Sequence, residues 1–180
     1  MKKSLILLCC FFIDGAVNAT EIQREVHENW TSYTDYKHIS SWRAETSSKD
    51  GSQLIFRTSS DGSLVATITL KGSRIIPKKL NCSVRVDKFP IITGPCEGDS
   101  QNLGISVDNY ISLHFDNRNF LNTCQKGKEL RIKVTSTEKT IWGPMEDEYF
   151  NYSLNGFSAS YDKLNDILNY LKSEENFFDN

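Results

Sequence analysis

The residues best equipped for nucleophilic chemistry lie in Gly156-Phe-Ser-Ala-Ser160, one glycine short of the Gly-x-Ser-x-Gly turn that exposes a nucleophilic serine. Ser160 stands where the second glycine belongs, and its side chain crowds a turn that requires close backbone approach. The histidines available as a base, His27, His38 and His114, are scattered, and strand alternation puts His114 on an outer face. Helix capping is therefore the expected role of Ser158. Carboxylate chemistry needs groups that converge in a cleft, whereas Glu146, Asp147 and Glu148 form a run of the kind found in solvated loops. Metal-ligand spacing, an Asp-rich calcium loop and a glycine-rich phosphate cradle are all missing from the sequence, so no metal or cofactor is expected. The residues read as those of a protein that is not an enzyme.

Cysteine is the other reactive type. Lys2 and Lys3 precede the apolar run Ser4–Ile13, and Val17-Asn18-Ala19 closes the segment with small residues, the form of a secretory signal peptide cut after Ala19. The run is too short to span a bilayer, which takes about 20 apolar residues, and no later stretch approaches that length. Cys9 and Cys10 leave with the signal, so the 161-residue mature chain keeps Cys82, Cys96 and Cys124. An oxidising compartment, periplasm or exterior, should pair two of them and leave one. Cys82–Cys96 is favoured because Pro90, Gly94 and Pro95 mark a chain reversal between them, and it would close a loop worth about 3 kcal/mol. Pairing of either with Cys124 is also sterically open, as are three reduced thiols. The odd cysteine offers a route to a homo-oligomer.

Charge narrows the partners. The mature chain has 19 basic against 22 acidic side chains, a net −3, and so presents no strong field to recruit nucleic acid or an anionic membrane.

The elements that must position these groups show a period of two. Leu54 and Phe56 share a face, then Leu64, Ala66, Ile68 and Leu70, with an Asp61-Gly62 turn between the two runs that predicts a hairpin. Cys82, Val84 and Val86 repeat the device, as do Ile111 and Leu113, Leu130, Ile132 and Val134, and finally Phe150, Tyr152 and Leu154. A short helical turn stopped by Gly127 lies between Phe115 and Lys128. At the end the period changes: Phe157, Tyr161, Leu164, Leu168 and Leu171 fall on one side of a helix over about Ser158 to Lys172. The segment 20–29 is polar and weakly helical, a loosely held arm, and 173–180 is an acidic tail. Six or seven strands with one apolar face each need a covering layer. The expected fold is mainly β, a single domain over 20–180 forming an antiparallel β-sandwich or half-open barrel with a C-terminal α-helix.

Aromatic residues supply the binding signal. Trp30, Tyr33, Tyr36 and Trp42 cluster early, and Trp142, Tyr149, Phe150 and Tyr152 cluster late, both beside expected loops. Trp30, Tyr33, Tyr36, Trp142 and Tyr149 are the candidates for anchoring a protein partner, because large amphipathic rings dominate interface energetics.

The order of features resembles the invasion-associated locus B family of bacterial envelope proteins. The likeness runs through Ser41-Trp42-Arg43, the hairpin Leu54-Ile-Phe-Arg with Leu64-Val-Ala-Thr-Ile68, and Val84-Arg-Val-Asp87. It continues through Leu121 to Val134 and Tyr152-Ser-Leu-Asn-Gly-Phe-Ser-Ala159, about residues 40 to 170 in all. That family often carries a close cysteine pair before the Gly-Lys segment, where this chain has Cys124 alone. The resemblance implies a secreted, non-enzymatic β-sandwich linked in some members to host-cell interaction, and it implies no catalytic residues.

The function expected is therefore that of an exported bacterial protein that binds another protein. The alternative is a periplasmic immunity or inhibitor protein that inserts a loop, Gly94–Gly104 or Trp142–Glu148, into the cleft of a toxin or hydrolase.

Overall fold

Alternating burial along each segment turns the sequence pattern into strands. The computed structural model describes residues 22–34, 42–58, 64–70, 76–102, 107–114, 117–136, 138–140, 143–164 and 166. They form β1 (Gln23–His27), β2 (Trp30–Thr34), β3 (Arg43–Ser47), β4 (Gln53–Thr58), β5 (Leu64–Leu70) and β6 (Lys79–Val86). After these come β7 (Ile92–Asn102), β8 (Val107–Leu113), α1 (Asn117–Lys126), β9 (Glu129–Thr135), β10 (Lys139–Thr140), β11 (Gly143–Pro144) and β12 (Glu148–Ser153). A helix over residues 157–164, α2, follows. The expected Leu168 and Leu171 of its stripe lie outside the described residues.

Ten strands make one antiparallel sheet in the order β1-β2-β3-β4-β5-β8-β7-β6-β9-β12, and β10 pairs β11 separately. The sheet curls into a half-barrel, the second of the two architectures expected. The hairpin read around Asp61-Gly62 is present, with β4 and β5 paired from Gln53↔Thr69 to Thr58↔Leu64.

The concave face holds the core, and both helices fill it. Phe157 of α2 packs against Trp30 at 4.8 Å between ring centroids and against Phe56 at 5.1 Å, while Phe120 of α1 meets Phe56 at 5.9 Å. Trp42, wholly buried, donates its indole N–H to the Ser160 carbonyl at 3.2 Å and so ties the start of β3 to α2.

Three local readings change. Residues 23–27 are not a weakly helical arm but strand β1, in register with β2 from Gln23↔Thr34 to His27↔Trp30. Its exposed, polar pattern is that of an edge strand with no apolar face to announce it. The chain reversal after Cys82 is a tight turn at 87–90, where Asp87 takes a φ of 44° and its carboxylate accepts the Lys128 and Glu129 N–H groups at 2.9 and 3.0 Å. Gly94 and Pro95 then belong to β7. Pro95 pairs only toward β6, since β8 joins from Cys96 onward, and a proline is tolerated where one side of the strand lacks a ladder. The stretch offered as an inhibitory loop, Gly94–Gly104, is thus internal strand as far as Asn102.

The disulfide Cys82–Cys96 joins β6 to β7 with Cα atoms 5.8 Å apart, both cysteines buried, as the spacing favoured. Among the described residues Cys124 is the free thiol, buried on α1. Burial pushes its pKa far above the ordinary thiol value, and a disulfide to a second chain would require the site to open.

Candidate functional site

The two ends of the sheet approach each other without forming a ladder. Trp30 donates its indole N–H to the Ser153 carbonyl at 2.8 Å, Asn29 donates its side-chain amide to Ser153 Oγ at 2.8 Å, and the Asn29 N–H reaches the Asn155 carbonyl at 3.3 Å. Gly156 makes this approach feasible. It adopts a φ of +91°, and a Cβ there would fall 1.9 Å from the His27 carbonyl oxygen.

Beyond this pinned corner the seam opens into a cleft of about 1100 Å³ between the β2–β3–β4 side and the β9–β12 side. Thr31, Glu45, Lys49 and Asp50 line one wall, with Lys128, Arg131, Tyr149 and Asn151 on the other. β12 ends the sheet order, so one of its edges has no strand partner among the described residues. The Leu154 N–H pairs toward β9, at the Lys128 carbonyl, whereas the Ser153 carbonyl points away from β9 to Trp30. Backbone groups alternate sides along a strand, so Tyr149 and Asn151 direct theirs to the same open edge as Ser153.

The acids of the cleft are engaged locally. Glu45 accepts from Tyr33 Oη at 3.1 Å and pairs with Arg43 at 3.3 Å, and Glu129 pairs with Arg131 at 2.6 Å. Asp50, in the β3–β4 turn, accepts from the Ser48 hydroxyl and from the Ser52 N–H and hydroxyl at 3.0 and 2.9 Å. These bonds, the Ser48 one foremost, hold its carboxyl below the ordinary carboxylate value against the opposing effect of desolvation. Ser52 Oγ in turn lies 2.9 Å from the Tyr152 hydroxyl, whose pKa burial drives well upward. This Asp50–Ser52–Tyr152 chain was not visible as a motif, because its members are up to 102 positions apart and only the curl of the sheet joins them. Lys49 and Lys128 make no ion pair among the described residues.

The five aromatic candidates divide. Trp30 is a correction: it is fully buried, the first inward residue of β2, because that strand alternates from its first position and the indole faces the core. Tyr33 is half-buried on the outer face, where the Arg43 guanidinium stacks at 4.4 Å from its ring centroid. Tyr36 and Trp142 lie outside the described residues. Tyr149 is 63% exposed at the rim of the cleft, with Lys133 Nζ 5.5 Å from its ring centroid and held by Asp147 at 2.7 Å.

Ser158, the nearest approach to a nucleophile, donates to the Gln125 carbonyl at 2.9 Å and so links α2 to the end of α1. Ser160 is fully buried. Among the described residues no group of three or more His, Cys, Asp or Glu side chains is placed to hold a metal ion, and no helix is long and apolar enough to cross a membrane.

Fold and cleft together define a class, an antiparallel β half-barrel filled by helices and split along one seam. No family model, curated protein or solved structure matches the chain.

Proposed function

We propose that this protein is an exported protein-binding domain, and that its partner lays an extended segment along the open edge of β12. The observation that carries the reading is the open edge itself. Tyr149 and Asn151 direct their backbone groups to an edge that no described strand pairs, inside a cleft, and the Tyr149 ring is exposed there. Strand addition to a sheet edge takes its affinity from such main-chain bonds and its selectivity from neighbouring side chains. The signal-like N-terminus and the envelope-family resemblance support placement in the periplasm or outside the cell, with a host or envelope protein as partner. The use of Ser158 as a link between helices supports a non-enzymatic role.

A photo-crosslinking amino acid at position 149, in the protein expressed and exported in a bacterial host and exposed to envelope extract, tests the reading. One discrete adduct is expected from position 149, and none from the same probe at position 85 on the exposed face of β6. Equal labelling from both positions, or no adduct at 149, would overturn it. An adduct with a single hydrolytic enzyme would turn the reading to inhibition.

A further inference from the structure

On the convex face, away from the seam, Arg43 and Arg57 sit directly opposite each other across β3 and β4. Like charges in that position repel, so each needs a counterpart. Arg43 has two, the Glu45 carboxylate and the Tyr33 ring. Arg57 pairs with no described residue, although it is exposed and borders a second cavity of about 320 Å³.

The floor of that cavity is unusual for an outer sheet face. Thr67, 7% exposed, and Thr69 line it, and the Oγ1 of each lies buried with no hydrogen-bond partner among the described residues. A buried hydroxyl left unpaired costs about 1–3 kcal/mol, so two side by side are an energetic deficit that a ligand would relieve. Ser112 and Tyr110 continue the floor onto β8, in register with Thr67 and Thr69 respectively. Across the cavity Asp99 of β7 supplies the opposite charge and likewise pairs with no described residue. Unpaired cation, hydroxyl floor and unpaired anion therefore follow one another across the sheet from β4 to β7.

We infer that this cavity binds a small zwitterion of dipeptide size, its carboxylate on Arg57, its ammonium toward Asp99, and its peptide group over the Thr67 and Thr69 hydroxyls. Size and span both fit. The volume is at the small end of ligand cavities, which run about 300–1,000 Å³. β4 and β7 are three strand intervals apart, about 14 Å. The register sets Asp99 in the row of Thr69, four residues or about 13 Å along the strands from Arg57, so their Cα atoms are about 19 Å apart. An extended dipeptide of about 7 Å leaves about 12 Å to the two charged side chains and their contacts. A lone anion would leave Asp99 as a repulsive neighbour, and a lone cation would meet Arg57.

The probe is Ala-Ala, titrated into the folded, isotope-labelled protein while the amide signals of Thr67, Thr69, Tyr110 and Ser112 are followed. Saturable shifts confined to these residues are expected. N-acetyl-Ala-Ala, which lacks the ammonium, and Ala-Ala-amide, which lacks the carboxylate, should each bind about tenfold more weakly, as should Ala-Ala to Arg57→Gln, each losing one charge-assisted contact. The inference is overturned if Ala-Ala produces no saturable shift, if the blocked dipeptides bind as well as the zwitterion, or if Arg57→Gln binds unchanged. Since the site is lined from β3, β4, β5, β7 and β8 and shares no residue with the β12 cleft, none of these results depends on partner capture at Tyr149.

Discussion

The Trp30 indole N–H donates to the Ser153 carbonyl oxygen at 2.8 Å, joining residues 123 positions apart and the second strand of the sheet to the last. The half-barrel is closed at this corner by the Trp30 indole together with Asn29, not by a ladder. Closure at one corner leaves the rest of the seam open, and the candidate binding cleft is the opening.

Trp30→Phe keeps the ring packing against Phe157 but leaves the Ser153 carbonyl without its donor. A loss of about 0.5–1.5 kcal/mol in urea unfolding is expected, the net worth of one part-buried hydrogen bond. Stability equal to wild type would show that the corner is held by Asn29 alone.

Gly156→Ala places a Cβ against the His27 carbonyl oxygen at a φ that disfavours any side chain. The conformation alone costs about 1–3 kcal/mol, and the clash must push β1 or α2 aside. Thermal unfolding should fall well below wild type, and protection from amide exchange in β1 should fall with it.

Tyr152 and Cys124 both have pKa values raised by burial, so the folded state favours their neutral forms. Their contribution to stability is intact below the unfolded-state values, about 8.5 for Cys and about 10 for Tyr, and is lost as pH rises beyond those toward the folded-state values. Unfolding free energy should therefore decline with alkalinity. Tyr152→Phe should flatten the decline above about pH 10, and Cys124→Ala should flatten the part that begins near pH 8.5. A slope unchanged in both variants would assign the alkaline loss to other groups.

Replacing Cys82 and Cys96 together by alanine should cost about 3 kcal/mol, the loop-closure value for a span of this length. Thiol titration of the unreduced mature protein should detect no reactive group while it is folded and one after denaturation. Three thiols after denaturation would refute the disulfide.

Much of this fold is written in period-two alternation, and those strands were readable because one face is apolar: Leu54 and Phe56, Ile68 and Leu70, Leu130, Ile132 and Val134. β1 and β7 escaped for opposite reasons. β1 is an edge strand whose residues are mostly solvated, so no apolar face marks it. β7 contains Gly94 and Pro95, which read as turn residues, and also Gly98. Gly98 is in fact required by packing, since a Cβ there would meet the Pro77 carbonyl oxygen at 2.2 Å. The site was less legible still. Tyr149 and Trp30 carry the same local signature in the sequence, yet Tyr149 is exposed and Trp30 is buried, because facing is set by the register of the strand and not by ring type. Neither the cleft nor the Arg57–Asp99 cavity has a sequence signature, as both arise where strands distant in the chain lie side by side.

The bonded pair, Cys82 and Cys96, also precedes Cys124 in the chain. A polypeptide threaded N-terminus first into an oxidising space presents Cys82, then Cys96, and only later the odd thiol. Under the export proposed above, consecutive oxidation in order of emergence would make the native bridge before a competitor is present. By the time Cys124 arrived, its own helix could bury it. The order of delivery would do the sorting that proteins with interleaved bridges leave to thiol exchange.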